Sequence, residues 1–264
     1  MNIDRRTFMA GSVGMTAAAS LSEAKAAVHN NREYYELRLL TFAAQPSQER
    51  YATFLKEAFF PAIQRNRIGS AGAFVVADKP DALSLYLLLS YPSIDAYATA
   101  ENRLLEDAEF RKAGAAVLDL PPEDPPYAHA ESSLMLSFES YPKLKPPKEA
   151  SGDQPRIFEL RTYESHSRKA NKKKIEMFNA GEAAMFARHG LQPVFFGETL
   201  TGPQIPNLTY MLTYPNMEAR AGLWKEWGAD PEKARLFAIP EYADRLIVSK
   251  IHQTYLKPLP GSMI

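Results

Sequence analysis

The sequence predicts an α+β protein made of two tandem modules, each with the β-α-β-β-α-β, ferredoxin-like element order. The first observation behind this is an internal repeat, a feature whose omission misassigns the whole fold. Tyr35-Glu36-Leu37-Arg38 recurs as Phe158-Glu159-Leu160-Arg161. At the same offset, Leu85-Tyr86-Leu87-Leu88-Leu89-Ser90-Tyr91-Pro92 recurs as Leu208-Thr209-Tyr210-Met211-Leu212-Thr213-Tyr214-Pro215, and Asp95-Ala96 as Glu218-Ala219. The closing segments, Leu134 to Ser137 and Leu246 to Ser249, match at a shorter offset, which predicts extra residues in the first copy between 101 and 133. The second observation is that strand and helix signals alternate identically in both copies. The third is bulk composition: 264 residues, 45% hydrophobic and 23% charged, suffice for two ordinary cores.

In the first copy a strand over Tyr34 to Phe42 precedes a helix from Ser47 to Arg65. The apolar positions of that helix (Tyr51, Phe54, Leu55, Ala58, Phe59, Ala62, Ile63) follow the i, i+3, i+4 rule, with a kink expected at Pro61. Strands follow at Ala73 to Asp78 and Leu83 to Tyr91, then Ser93 as a helix N-cap, helix to Val117, and a last strand over Leu134 to Glu139. The second copy repeats this: strand Ile157–Tyr163, helix Lys169–His189 closed by Gly190, strands Val194–Glu198 and Leu208–Tyr214, a helix from Met217, a short one from Pro231 capped by Asp230, and a strand over Leu246–Ile251.

Ahead of the modules, Arg5-Arg6-Thr7-Phe8-Met9, an apolar run from Ala10 to Leu21, and Ala24-Lys25-Ala26 read as a twin-arginine export signal over 1–26. Its apolar run is too short to span a bilayer, so the expected address is the periplasm or another exported location, without a transmembrane segment. The expected organisation is leader 1–26, first domain 30–142, a stiff Pro/Lys-rich linker 143–155, and second domain 156–258. Lys+Arg and Asp+Glu are 31 each, so no overall field draws nucleic acid. The absence of Cys excludes disulfides, thiolate metal sites and thiol nucleophiles.

Arg156-Ile157-Phe158-Glu159-Leu160-Arg161-Thr162-Tyr163-Glu164, together with Leu208 to Trp227 and its Tyr-Pro-Asn-Met-Glu-Ala-Arg and Trp-Lys-Glu-Trp segments, closely resembles the NIPSNAP family in a two-domain form. The resemblance spans most of 34 to 256 and is stronger in the second copy; no Trp follows Tyr91-Pro92 in the first. It implies a dimeric α/β-barrel, in which two ferredoxin-like sheets pack sheet to sheet, here as a pseudo-dimer within one chain. It implies no reaction, because fold alone does not transmit function.

Four constellations merit chemical attention. Residues two apart on a strand share a face, so Glu36 with Arg38, and Glu159 with Arg161, form structural ion-pair candidates. If helices cover the Tyr35/Leu37 face, these pairs lie where the two sheets meet and fix the pseudo-twofold packing. Arg168, Lys169, Lys172, Lys173 and Lys174, near a helix start, form either an anion patch or a solvated basic face. The same run, with the linker, offers a way to dock on a membrane surface.

His29, His129, His166, His189 and His252 show no metal-ligand spacing. No cofactor is predicted, the alternative being haem on His189, since haem-handling barrels of this superfamily use a helix-borne His. Tyr163, Arg188, His189, Tyr210, Tyr214, Trp224, Trp227 and Phe237 are the ligand-pocket candidates, with core packing as the other reading.

No nucleophile-elbow, P-loop or dinucleotide signature occurs. The expected function is therefore binding of a small apolar or aromatic ligand, or of a protein partner, with homo-oligomerisation open. The alternative is an oxygenase or isomerase, cofactor-free or haem-dependent.

Overall fold

The computed structural model describes residues 31–79, 82–147 and 156–264, so the leader expected over 1–26 lies outside the described residues. The first half contains β1 (Tyr34–Thr41), helix α1 (Gln45–Phe54) running through a π turn (Leu55–Phe59) into α2 (Phe60–Arg65), β2 (Ala71–Val76), β3 (Ser84–Tyr91), α3 (Ile94–Glu106), α4 (Ala108–Leu118) and β4 (His129–Ser137). The second contains β5 (Ile157–Glu164), α5 (Arg168–Met177) running through a π turn (Phe178–Glu182) into α6 (Ala183–Arg188), β6 (Gln192–Thr201), β7 (Asn207–Tyr214), α7 (Met217–Gly228), α8 (Pro231–Phe237), a helical turn α9 (Asp244–Ile247) and β8 (Lys250–Pro258).

All eight strands form one closed antiparallel barrel in the order β1-β3-β2-β8-β5-β7-β6-β4. Each half contributes a four-stranded ferredoxin-like sheet, and the two join edge to edge through β2–β8 and β4–β6, so no strand edge is left open. Tyr35, Phe74, Leu88, Met135, Phe158, Phe195, Met211 and Leu256 fill the barrel interior. Two edge-to-face ring pairs cross between the halves, Tyr35 with Phe195 (5.2 Å) and Phe74 with Phe158 (4.9 Å). Outside the barrel, each helical layer covers its own sheet with a separate apolar core.

Local signals explain the element ends. Ser93 and Asn216, equivalent in the repeat, each accept a backbone N–H three residues on, capping α3 and α7. Asp230 caps α8, and Gly190 closes α6 with φ +75°. The π turns sit at equivalent positions. Ala184 occupies in the second copy the place of Pro61 in the first, so the proline expected to kink the helix is not what makes the turn.

Three expectations need correction. Leu246 and Ile247 belong to α9, with Ile247 buried against Met177 and Tyr242, and the last strand starts at Lys250. Register makes Leu256, opposite Phe158, the counterpart of Met135, opposite Tyr35; the offset falls only from 123 to 121, so the first copy carries two extra residues rather than the eleven that the mismatched closing segments implied. Finally, the start of the expected linker is packed. Leu144 is buried in the barrel core, its N–H donates to Glu33, and Lys145 N–H donates to the Val194 carbonyl.

One feature had no sequence signal: beyond β8, Met263 N–H donates to the Ala71 carbonyl and Ile264 is fully buried among barrel residues, so the segment following the second half clasps the first.

Candidate functional site

The Glu-x-Arg motifs organise the helix-facing side of each sheet. Glu36 and Arg38 lie opposite Leu89 and Leu87, and Glu159 and Arg161 opposite Leu212 and Tyr210; all four partners belong to the helix-side cores. Tyr35, Leu37, Phe158 and Leu160 point into the barrel instead. The faces are therefore the reverse of the expected arrangement, and the ion pairs act within each half rather than between sheets. Both strand faces are buried, so alternation alone could not tell them apart.

The two copies satisfy the buried glutamate differently. In the first, Arg38 donates twice to Glu36 (2.7 and 2.9 Å), with Tyr91 and Ser132 hydroxyls completing the shell. Burial works against the Glu36 charge, yet these bonds leave its pKa below the ordinary carboxylate value. In the second, Tyr214 keeps the role of Tyr91, but the bidentate partner of Glu159 is Arg220 from α7 (2.7 and 2.9 Å), with Trp224 Nε1 adding a bond of 3.2 Å. Tyr97 stands in the first copy where Arg220 stands in the second. Arg161, displaced from Glu159, approaches it no closer than 3.6 Å, and its buried Nε has no hydrogen-bond partner. The guanidinium lies 5.0 Å from the Trp224 ring and 5.6 Å from Tyr163.

Beside Arg161 a cavity of about 440 Å³ opens between the outer face of the second sheet and α5, α7, α8 and α9. Tyr163, Trp224, Trp227 and Phe237 are its aromatic walls, and Arg161, Arg220, Lys174, Lys233, Glu182 and Asp244 its polar groups. The Trp224 and Trp227 rings stand edge to face, 5.2 Å apart. Lys174 is only 1% exposed; its ammonium is held by Glu182 (3.2 Å) and Asp244 (3.5 Å) and faces the rings of Tyr163, Phe178 and Phe237. Glu182 comes from the second π turn. Burial pushes its carboxyl above the ordinary range, with Lys174 drawing it back. Tyr163 and Tyr210 share a hydroxyl bond of 3.0 Å, and burial raises both phenols.

The first half has a cavity at the equivalent place, about 220 Å³, lined by Arg38, Tyr51, Phe54, Phe59, Leu104 and neighbouring residues. The repeat offset puts Tyr51 where Lys174 stands, Phe59 where Glu182 stands, Glu101 where Trp224 stands and Leu104 where Trp227 stands. The second copy thus has the larger cavity, and the buried ion pair and both tryptophans are its own.

Of the eight pocket candidates, Tyr163, Trp224, Trp227 and Phe237 line the cavity; Tyr210 and Tyr214 lie beneath it as core. Arg188 and His189 are not lining residues. Both bind Asp230 (2.6 and 2.7 Å) at the end of α6, an arrangement that depresses the Asp230 pKa through His189 first and Arg188 second. With its Nε2 engaged there, His189 does not fit as a haem ligand for this cavity, whose lining contains no histidine.

The cationic run is likewise no patch. Lys172 pairs with Glu198, Lys173 with Glu176 and Glu241, and Lys174 is buried, leaving Arg168 and Lys169 as the exposed cations of the run without an ion pair among the described residues. Among the described residues no cluster of three or more His, Asp or Glu could hold a metal, and no helix is long and apolar enough to cross a membrane. The sequence reading also missed a partner for His252: Nε2 meets Glu164 at the barrel mouth, beside a separate cleft of about 210 Å³.

The NIPSNAP family model matches residues 158–263. A candidate monooxygenase from Lactobacillus acidophilus NCFM has a similar solved structure, with a TM-score of 0.57 and 9% identity over 86% of this chain and 94% of that one. Another, from Fusobacterium nucleatum, gives 0.57 and 8% over 86% and 93%. A NIPSNAP family protein of unknown function from Agrobacterium tumefaciens gives 0.36 and 17% over 41% and 92%. No curated protein matches the sequence. At these identities the likeness to the Lactobacillus and Fusobacterium structures establishes the fold alone.

Proposed function

Starting from a chain whose second half is a NIPSNAP domain within a dimeric α/β-barrel fold, we propose that the cavity of this half binds a small aromatic or apolar molecule. The observation that carries this reading is the cavity itself: about 440 Å³, aromatic on its walls, with a few fixed polar groups. Ligand sites generally combine these features, and a volume of this order suits a one- to three-ring compound. Residues 1–26 act in this reading as the export leader that delivers the protein to the periplasm, an assignment supported by Arg5-Arg6 and Ala24-Lys25-Ala26. The test is native mass spectrometry of the exported protein: the expected result is a co-purifying small molecule that Trp227→Ala releases. A ligand-free mass, with no aromatic compound retained on soaking, overturns the reading.

A catalytic version is favoured by one further observation. Glu182 places a carboxyl of raised proton affinity in the cavity wall, beside a buried lysine. Such a group is suited to taking a proton from a bound carbon or phenol acid, as a cofactor-free isomerase or oxygenase requires. In that case Glu182→Gln should still bind the ligand but no longer catalyse its hydrogen–deuterium exchange in D2O.

A further inference from the structure

The geometry points to an aromatic anion as the ligand of the second-half cavity, its negative group held by Arg161 and Lys233 while its ring lies against the Trp224–Trp227 pair. This rests on the binding function proposed above and adds the chemical class.

Four cations line the cavity, and two of them are already matched. Lys174 is bound by Glu182 and Asp244, and Arg220 by both oxygens of Glu159. Of the other two, Arg161 reaches Glu159 only at 3.6 Å, sharing a carboxylate that Arg220 already binds through both oxygens, and Lys233 has no ion pair among the described residues. Arg161 is pushed off Glu159 by Arg220, although the equivalent Arg38 occupies Glu36 fully in the first half. The exchange of Tyr97 for Arg220 between the copies therefore releases one guanidinium toward the cavity. Lys233 forms no ion pair among the described residues; its ammonium sits 4.9 Å from the ring centres of both Trp227 and Phe237.

These two charges flank the tryptophan pair, with Arg161 on Trp224 and Lys233 on Trp227. A buried or half-buried cation whose counter-charge is absent, as for Lys233, or shared with another cation, as for Arg161, is costly. A carboxylate supplied by the ligand offsets this surplus, and Arg presents the planar donor fork that suits it. The equivalent first-half cavity has no such surplus, because Arg38 is consumed by Glu36.

The test uses two probes of equal shape, 2-naphthoate and the neutral 2-naphthalenemethanol, titrated calorimetrically into the whole chain. Naphthoate is expected to bind about tenfold tighter or more, the ratio a charge-assisted bond supplies, and its affinity should weaken with added salt. Lys233→Gln, which removes no ion pair, should cut the ratio several-fold; Arg161→Gln should do the same through the other cation. Equal affinities, or a tighter alcohol, overturn the anion assignment while leaving the aromatic site intact. A preference unchanged in both variants overturns the assignment to these residues. Binding of neither probe overturns the binding function itself and this inference with it.

Discussion

Taking an ammonium and a carboxylate out of water costs several kcal/mol for each, and their attraction offsets this only when both are present. Lys174 and Glu182 meet that condition side by side at the cavity. Removing one leaves the other uncompensated, so Lys174→Met should destabilise the protein by about 3–5 kcal/mol in denaturant unfolding. Adding Glu182→Leu should recover most of the loss, and a double variant as unstable as the single one would contradict the pairing.

Asp230 gives the pH counterpart. Its contacts with His189, Arg188 and the Glu232 N–H lower its folded pKa. The stability it contributes is therefore complete above its unfolded pKa of about 4 and is lost as pH falls through that value toward the folded one. A series of melting temperatures from neutral to acid pH should show a shallower acid-side decline for Asp230→Asn than for the natural protein.

The burial of Lys174 was legible in part. A Lys-Lys-Lys run suggests a solvated face, yet Ala170, Lys174 and Phe178 stand four apart on one helical stripe, and Ala170 and Phe178 are core. The repeat adds that Tyr51 holds the same place. What no single strand reveals is which face meets the helices. In a closed barrel both faces are covered, so the orientation of Glu36 and Glu159 depends on which neighbours offer Tyr91, Tyr214 and Arg220 to them.

At the scale of elements, the repeated strands and the caps at Ser93 and Asp230 were readable because each is fixed locally by alternation or by a side-chain acceptor. Leu246 to Ser249 misled because a short apolar run fits a strand or a buried helical turn equally well. The π turn that carries Glu182 has no sequence signature; it emerges only from comparing the two helices, and such turns are frequent at functional sites.

The clasp made by the last residues is also invisible to local pattern, since it depends on contacts nearly 190 residues away, such as the Ala73 N–H donating to Ser262. Ile264 is fully buried, its Cβ lying where a side chain on Gly72 would have to go. Ile264→Ala should therefore cost about 2–5 kcal/mol of unfolding free energy. A change below about 0.5 kcal/mol would mean that the segment does not hold the barrel in solution.

Across the whole molecule, duplication has produced two sheets that close each other's edges and two helical layers that need not do the same work. The first half satisfies its buried glutamate within the sheet and fills the equivalent cavity with Tyr51 and Phe59. The second draws its arginine partner from α7, and this leaves a larger, charged and aromatic cavity. Symmetry builds the frame, and departure from symmetry marks the site.

Both tryptophans of the chain line that cavity, so emission excited at their red edge reports on it alone. The most direct measurement is therefore a tryptophan-emission titration with 2-naphthoate, run beside calorimetry on the same samples. Saturable quenching whose midpoint equals the calorimetric Kd, retained in part by Trp224→Phe and by Trp227→Phe, is the predicted result. Calorimetric binding that leaves the emission unchanged, or no binding at all, would place the ligand elsewhere or remove it, and would contradict the assignment of this cavity as the functional site.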